Sequence, residues 1–136
     1  ERKSILFDFF QHYNYIECFR KERMTEKGNV FVIQEVSKFN VIPAQEYGTL
    51  VPIFEEGKQI MLSPAPAIRK LKQVLKDFND KDYLLLIGDP SIIGVACSIA
   101  SDMNQGKFKM LKYDRRSYTY YPIQVDLYER SMKHDG

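Results

Sequence analysis

Tryptophan is absent from the 136 residues, and cysteine and histidine each occur only twice. Cys18 and Cys97 lie far apart and have no cysteine or histidine partner at ligand spacing, which disfavours a disulfide scaffold and a zinc site. Free cysteines in this pattern suit a reducing compartment. The apolar run SILFDFF near the N-terminus is too short to cross a membrane and contains Asp8. We therefore expect an intracellular protein with no membrane partner and no metal.

The sequence also lacks the patterns that mark an active site. His12 and His134 both lie outside the regular part of the chain, and Ser63 and Ser91 fall at predicted helix starts without a base nearby in sequence. The carboxylates are scattered, and there is no glycine-rich phosphate loop. This favours a non-enzymatic protein without a cofactor. Because the 20 basic and 18 acidic residues leave a net charge of only +2, a nucleic-acid role requires local clusters of cations.

Hydrophobic residues make up 44% of the chain, and its length fits one domain with a real core. Residues 1–28 form a separate N-terminal extension, and residues 29–136 form a single domain. The extension has two interpretations. An apolar stripe at helical spacing predicts an amphipathic helix; it comprises Leu6, Phe9, Phe10, Tyr13 and Ile16. Alternatively, residues 1–23 are a mis-annotated leader, because 20–23 can be encoded by purine-only codons and directly precede Met24, as a ribosome-binding site would.

The rest of the chain alternates between strand and helix patterns. Strands are predicted at 30–36, 49–54, 59–62, 82–88, 107–114 and 118–127. Helices are predicted at 63–78, where Ser63 is placed to cap, and at 89–106, where Asp89 is the N-cap and Pro90 the first helical residue. Pro52 places its strand at an edge or a bulge. The sequence predicts an α/β fold: a mixed sheet with a parallel β-α-β unit, two main helices and a C-terminal antiparallel hairpin.

Gly88-Asp89-Pro90 lies where a buried parallel strand meets a helix N-terminus. Ligands of α/β proteins bind in such crevices, so Gly88 and Asp89 are candidate residues of a small-ligand or nucleotide site. The alternative is that Asp89 only caps the helix.

The hairpin around LKYDRRSYTYYPIQVDLYE carries the strongest candidate site. With a four-residue loop 114–117, Tyr113 pairs with Tyr118, and strand alternation creates two faces. The predicted core face holds Phe108, Met110, Tyr121, Ile123, Val125 and Leu127. Leu111 lies on the predicted outer face. The other residues of this face and of the loop are cations and tyrosines: Lys107, Lys109, Tyr113, Arg115, Arg116, Tyr118 and Tyr120. Bases stack on exposed rings while lysine and arginine neutralise phosphate, so this face predicts contact with single-stranded nucleic acid. The alternative is a hairpin stabilised by cross-strand aromatic pairs.

Helix 63–78 carries a second group of cations opposite its apolar stripe: Arg69, Lys70, Lys72 and Lys76. A charged helix face is usually only solvated, but here Asp77 alone offers an opposite charge.

Several segments resemble small proteins of marine bacteriophages, in particular T4-like phages of cyanobacteria and Pelagibacter. The resembling segments are FVIQEV, LSPAPAIRKL, DYLLLIGDPSIIGVACSIASDMNQGKFKMLKYDR and YYPIQVDLYE. These relatives often have tryptophan in a KWDR segment, where this chain has Tyr113. The resemblance implies a phage origin and a setting in the host cytoplasm, but no activity and no functional residue.

Three function classes follow. The leading hypothesis is a small non-enzymatic phage accessory protein that contacts nucleic acid, or host machinery that handles nucleic acid, through the hairpin, with helix 63–78 as a second candidate contact. The second is a nucleotide-binding or small-ligand-binding protein, or an enzyme, that uses the crevice at Asp89. The third is a homo-oligomeric module with the tyrosine face as its interface.

Overall fold

A five-stranded sheet organises the part of the chain that the computed structural model describes, residues 27–129. The strands are β1 (Gly28–Gln34), β2 (Gly48–Phe54), β3 (Tyr83–Leu85), β4 (Lys107–Asp114) and β5 (Thr119–Asp126). The helices are α1 (Ala65–Val74), α2 (Pro90–Met103) and a 3-10 helix (Ile42–Tyr47). The strand order is β2-β1-β3-β4-β5; β5 is antiparallel to β4, and all other pairs are parallel. The predicted α/β class is confirmed. Both interpretations of residues 1–23 fall outside the described residues.

The predicted strand–helix–strand unit consists of β3, α2 and β4, and β3 pairs in parallel with β4. Leu84 and Leu85 of β3 are fully buried and belong to different hydrophobic clusters. Adjacent strand residues point to opposite faces of the sheet, so β3 is covered on both faces. This explains its continuous apolar run, which leaves no polar side for solvent.

The two clusters cover the two faces of the sheet. On one face, α1 and α2 pack on Phe31 and Ile33 of β1; we call this the helix-side core. On the other face, Val30 and Val32 pack under the segment 36–47, which contains the 3-10 helix; we call this the opposite core. Successive side chains of β1 therefore enter opposite cores, which fixes the face of the sheet on which each of them lies.

The helices begin close to the predicted residues. The Asp89 carboxylate accepts the Ile92 N–H at 3.3 Å, so the predicted N-cap of α2 is confirmed. Helix α1 is shorter than predicted: its N-cap is Pro64, and the Ser63 hydroxyl accepts the Ala65 N–H at 3.2 Å. Gly94 of α2 is exposed and faces away from the sheet, since a Cβ at this position would meet nothing within 4 Å.

The strand predicted at 59–62 is not formed. The turn before it exists, since Lys58 N–H donates to Glu55 O at 3.4 Å, but the chain continues as a loop into α1. One edge of β2 pairs with β1, so residues 59–62 could form a hairpin with β2 only along its other, open edge. Pro52 occupies the middle of that edge strand and has no N–H to donate. Its predicted edge position is thereby confirmed.

Candidate nucleic-acid interface at the hairpin tip

The β4–β5 hairpin has a different register from the predicted one. Tyr113 pairs with Tyr120 rather than Tyr118, and Leu111 pairs with Pro122. The shift is two residues, so the loop is 115–118 and each side chain keeps the face that alternation assigns to it. Tyr118 takes a φ of 56°, a left-handed conformation uncommon for residues other than glycine. This conformation turns the chain at the position where the prediction began the strand.

The predicted outer face of the hairpin is not exposed at its centre. Leu111 and Tyr120 are buried in the opposite core, where the segment 36–47 covers them. The Tyr120 hydroxyl donates to Asn40 O at 2.9 Å. Tyr113 is half-buried, with its ring centroid 5.2 Å from that of Phe39. The expectation that Tyr120 offers an exposed stacking surface is therefore wrong, because a loop distant in sequence packs over this face.

Burial is also reflected in the ionisation of Tyr120. Removal of the phenol from water disfavours the phenolate, and the nearby Tyr113 adds to this, so the pKa of Tyr120 rises to about 12. The hydroxyl stays protonated at neutral pH and remains a hydrogen-bond donor to Asn40 O. Tyr120 thus acts as a core residue with one satisfied polar end.

Lys107 and Lys109 lie at the other end of β4 from the loop. Lys109 is half-buried, and its ammonium lies 4.3 Å from the centre of the Tyr83 ring. Lys107 is exposed and pairs with Asp126. Eight residues of strand separate Lys107 from Arg115, which corresponds to roughly 26 Å. The structure therefore does not bring these two lysines together with the arginines.

Arg115, Arg116 and Tyr118 do lie together, in the exposed loop of the hairpin. Tyr118 is 75% exposed. Asp114 holds the loop in shape: its carboxylate accepts the Arg116 N–H at 3.1 Å and the Ser117 hydroxyl at 2.9 Å. These hydrogen bonds, from Ser117 first and then Arg116, lower the pKa of Asp114 below its usual value. The loop presents one aromatic ring and two guanidinium groups on an ordered turn.

Two residues beside the loop belong to the same surface, and the sequence prediction missed both. Lys112 is exposed and pairs across the hairpin with Tyr121, which is 41% exposed. Tyr121 was predicted to face the core. The prediction failed because the helices do not fully cover this end of the hairpin. The sequence did contain a signal, since Lys112 is a charged residue on the face that was expected to enter the core. We call this group the tip surface: Lys112, Arg115, Arg116, Tyr118 and Tyr121.

The crevice at Gly88 and Asp89 is occupied by a side chain of the protein. Strand β1 has β2 on one side and β3 on the other, so the crevice lies beyond the ends of β1 and β3. Gln34, the last residue of β1, is buried there and accepts the Asp89 N–H at 2.6 Å. Its amide nitrogen donates to Glu55 O at 3.0 Å and Lys58 O at 2.9 Å. A Cβ on Gly88 would collide with Gln34.

Comparison with known proteins identifies the family. The model of the phage Pam3 gp32-like protein family matches residues 28–127. This chain belongs to that family. The match begins with β1 and extends past the end of β5, so it covers every strand and helix of the described part. No curated protein and no solved structure compared with the chain matches it. Phage origin is thereby supported, while the family description names no activity.

Proposed function

We propose that this chain is a non-enzymatic phage accessory protein that contacts single-stranded nucleic acid in the host cytoplasm through its tip surface. Tyr118 carries the proposal: the ring is 75% exposed, lies in a loop with Arg115 and Arg116, and is held at a φ of 56°. This left-handed conformation closes the loop and leaves the ring exposed to solvent, where a base could stack on it. The narrower relationship to T4-like phages of marine cyanobacteria and Pelagibacter is part of this proposal.

The chemistry of the tip surface supports a single strand over a duplex. Unpaired bases offer free faces, and each base stacked on an aromatic ring contributes about 1–3 kcal/mol. Arg115, Arg116 and Lys112 are exposed cations in or beside the same loop, and they would neutralise phosphates next to a stacked base. The turn is ordered by Asp114, so less conformational entropy is lost on binding. A host protein that handles nucleic acid is the other partner that this cationic, aromatic surface suits.

Fluorescence anisotropy with labelled single-stranded DNA and RNA, measured over a range of salt concentrations, tests the proposal. Neutralisation of three phosphates predicts a slope of log K against log salt of about −2 for a single strand. Tyr118→Ala should weaken binding by about 1–3 kcal/mol through the lost stack. Tyr128→Ala is the matched control, because Tyr128 is also 75% exposed but lies beyond β5 at the opposite end of the hairpin. Equal losses in the two variants, or binding that is insensitive to salt, would contradict the proposal.

The small-ligand alternative at Gly88 and Asp89 has a weaker basis. Gln34 uses its carboxamide to bind three backbone groups around that crevice, so a ligand would have to displace it. Homo-oligomerisation through the tyrosine face stays a prediction, and Tyr120 could not contribute to it without moving the segment 36–47.

A further inference from the structure

The loop between β2 and α1 presents two large apolar side chains to solvent. Met61 is 78% exposed and Leu62 is 99% exposed. The loop is nevertheless held at both ends. Ile60 packs against the helix-side core, Lys58 O accepts the Gln34 amide at 2.9 Å, and the Ser63 hydroxyl accepts the Ala65 N–H. Apolar side chains on an anchored loop, exposed to this degree, indicate a contact surface.

Cations follow directly along α1. Arg69 and Lys72 are exposed and lie one turn apart on the same side of α1, and the exposed Lys76 follows in the turn after the helix ends at Val74. No acidic residue occurs within Ala65–Val74, and the first one after the helix is Asp77, next to Lys76. Lys70 points elsewhere, since its ammonium lies 4.9 Å from the centre of the Phe54 ring. We call Met61, Leu62, Arg69, Lys72 and Lys76 the α1 surface.

A groove lies between the end of β2 and the start of α1, on the side of the helix that carries Lys70. Its volume is about 480 Å³. The groove contains balanced charges: it is lined by Phe54, Pro66, Lys58, Lys70, Glu35 and Glu55. An apolar side chain of a partner can enter it without meeting a net charge, whereas acidic groups of that partner would be attracted to the cations on the outer side of α1.

We propose that the α1 surface docks an acidic segment of a partner protein that carries apolar side chains at one end. Aliphatic side chains offer no ring on which bases stack, so the surface suits nucleic acid less well than the tip surface does. A flat bilayer would have to contact the loop and all three cations at the same time, but the cations extend away from the loop. A peptide that lies along α1 meets the apolar loop first and then the cations in turn.

The probe for the test is a labelled synthetic peptide with leucines at one end and glutamates at i, i+3 and i+7. Binding is measured by anisotropy, with phosphatidylglycerol vesicles and single-stranded DNA as separate arms. Met61→Ser with Leu62→Ser, and separately Arg69→Gln with Lys72→Gln, should each weaken peptide binding about tenfold or more. Two controls remove similar groups elsewhere and should change binding by less than about twofold: Leu127→Ser, where the leucine is 60% exposed, and Lys81→Gln with Lys107→Gln, where both lysines are exposed.

Absence of peptide binding by the unchanged protein would overturn the proposal, as would equal losses in the controls. It would also be overturned if the unchanged protein bound vesicles or DNA and the Met61→Ser, Leu62→Ser variant did not. The peptide site is independent of the proposed nucleic-acid function. Tyr118→Ala should leave peptide binding unchanged, and the variants of the α1 surface should leave the effect of Tyr118→Ala on DNA binding unchanged. The substituted side chains of the α1 surface are exposed, so urea midpoints equal to that of the unchanged protein confirm that the fold is intact.

Discussion

Gln34 and Tyr120 are buried residues that each use a polar group to hold a loop against the sheet. Gln34 connects the end of β1 to the turn after β2 and to the start of α2. Tyr120 connects β5 to the segment 36–47 through Asn40 O. Both polar ends are satisfied, which is the condition under which burial of an amide or a phenol is tolerated.

Gln34→Leu keeps the side chain large and removes three hydrogen bonds. We expect the free energy of unfolding to fall by about 3 kcal/mol, because buried backbone groups lose their partners. Urea denaturation measures this. The control is Gln59→Leu, at an exposed position, which should change stability by less than about 0.5 kcal/mol. Similar small effects for both variants would show that the Gln34 hydrogen bonds are replaced by water.

Tyr120→Ala should cost about 3–5 kcal/mol, as for other large aromatic residues removed from a core. The neighbouring Tyr121→Ala, on the partly exposed face, should cost about 1 kcal/mol. Urea denaturation of the two variants compares them directly. Equal costs would contradict the assignment of Tyr120 to the core and Tyr121 to the tip surface.

The raised pKa of Tyr120 makes stability depend on alkaline pH. The folded-state pKa of about 12 exceeds the unfolded value of about 10, so the neutral phenol contributes its full stabilisation below pH 10. That contribution is lost as the pH rises from about 10 through about 12. Tyr120→Phe should reduce this alkaline loss while costing about 1 kcal/mol at neutral pH for the missing hydrogen bond. Urea midpoints between pH 8 and about 11.5 test both statements.

Among the elements, α2 shows most directly how sequence signals specify a boundary. Asp89 accepts the Ile92 N–H, and Pro90 is the first helical residue, where its missing N–H costs nothing. Ala96 and Ala100 are fully buried, so the small side chains that let the helix approach the sheet lie on its inner face. The cap and the apolar face were both visible in the sequence because they depend on neighbouring residues.

Asp89→Ser separates capping from binding. Serine caps almost as well as aspartate, so the variant should lose only a few tenths of a kcal/mol of stability, whereas Asp89→Ala should lose about 1 kcal/mol. Thermal or urea denaturation gives these values. Binding of any ligand at the crevice should persist in the serine variant if Asp89 only caps. Complete loss of such binding with stability preserved would make Asp89 a site residue.

At the scale of the whole molecule, both edges of the sheet contain a proline. Pro52 lies in β2 and Pro122 in β5. Leu111 O accepts the Leu86 N–H at 3.1 Å, so the backbone of Leu111 faces β3 and that of its partner Pro122 faces the open edge. A proline at such a position removes a donor that another strand would need. Within the described residues, the sheet is thus protected from edge-to-edge pairing.

Pro122→Val should restore that donor on a β-branched residue and promote concentration-dependent association. Size-exclusion chromatography with light scattering, over a range of protein concentrations, measures it. Gln124→Val is the control, because it adds an apolar side chain to the same strand while the backbone keeps the N–H it already has. Association in both variants would point to side-chain hydrophobicity instead of the edge N–H.

The elements that depend on local signals could be predicted from the sequence. The alternation of strands and helices, the N-cap of α2, the burial of β3 on both faces and the existence of the hairpin all follow from periodicity and turn chemistry among near neighbours. The strand predicted at 59–62 failed for the opposite reason: its local pattern was adequate, but the edge available for a hairpin with the preceding strand was that of β2, which carries Pro52.

The exposure of each tyrosine, in contrast, depends on contacts that form only in the folded chain. A period of two divides the hairpin residues between two faces but does not say what covers either face. Tyr120 is buried because Asn40 and its neighbours, 80 residues away along the chain, pack over it. Tyr118 is exposed because the register places it in the loop, and the crevice at Asp89 is filled because β1 ends there with Gln34. Contacts between residues so distant in sequence leave no periodic signal, so they emerge only when the chain is folded.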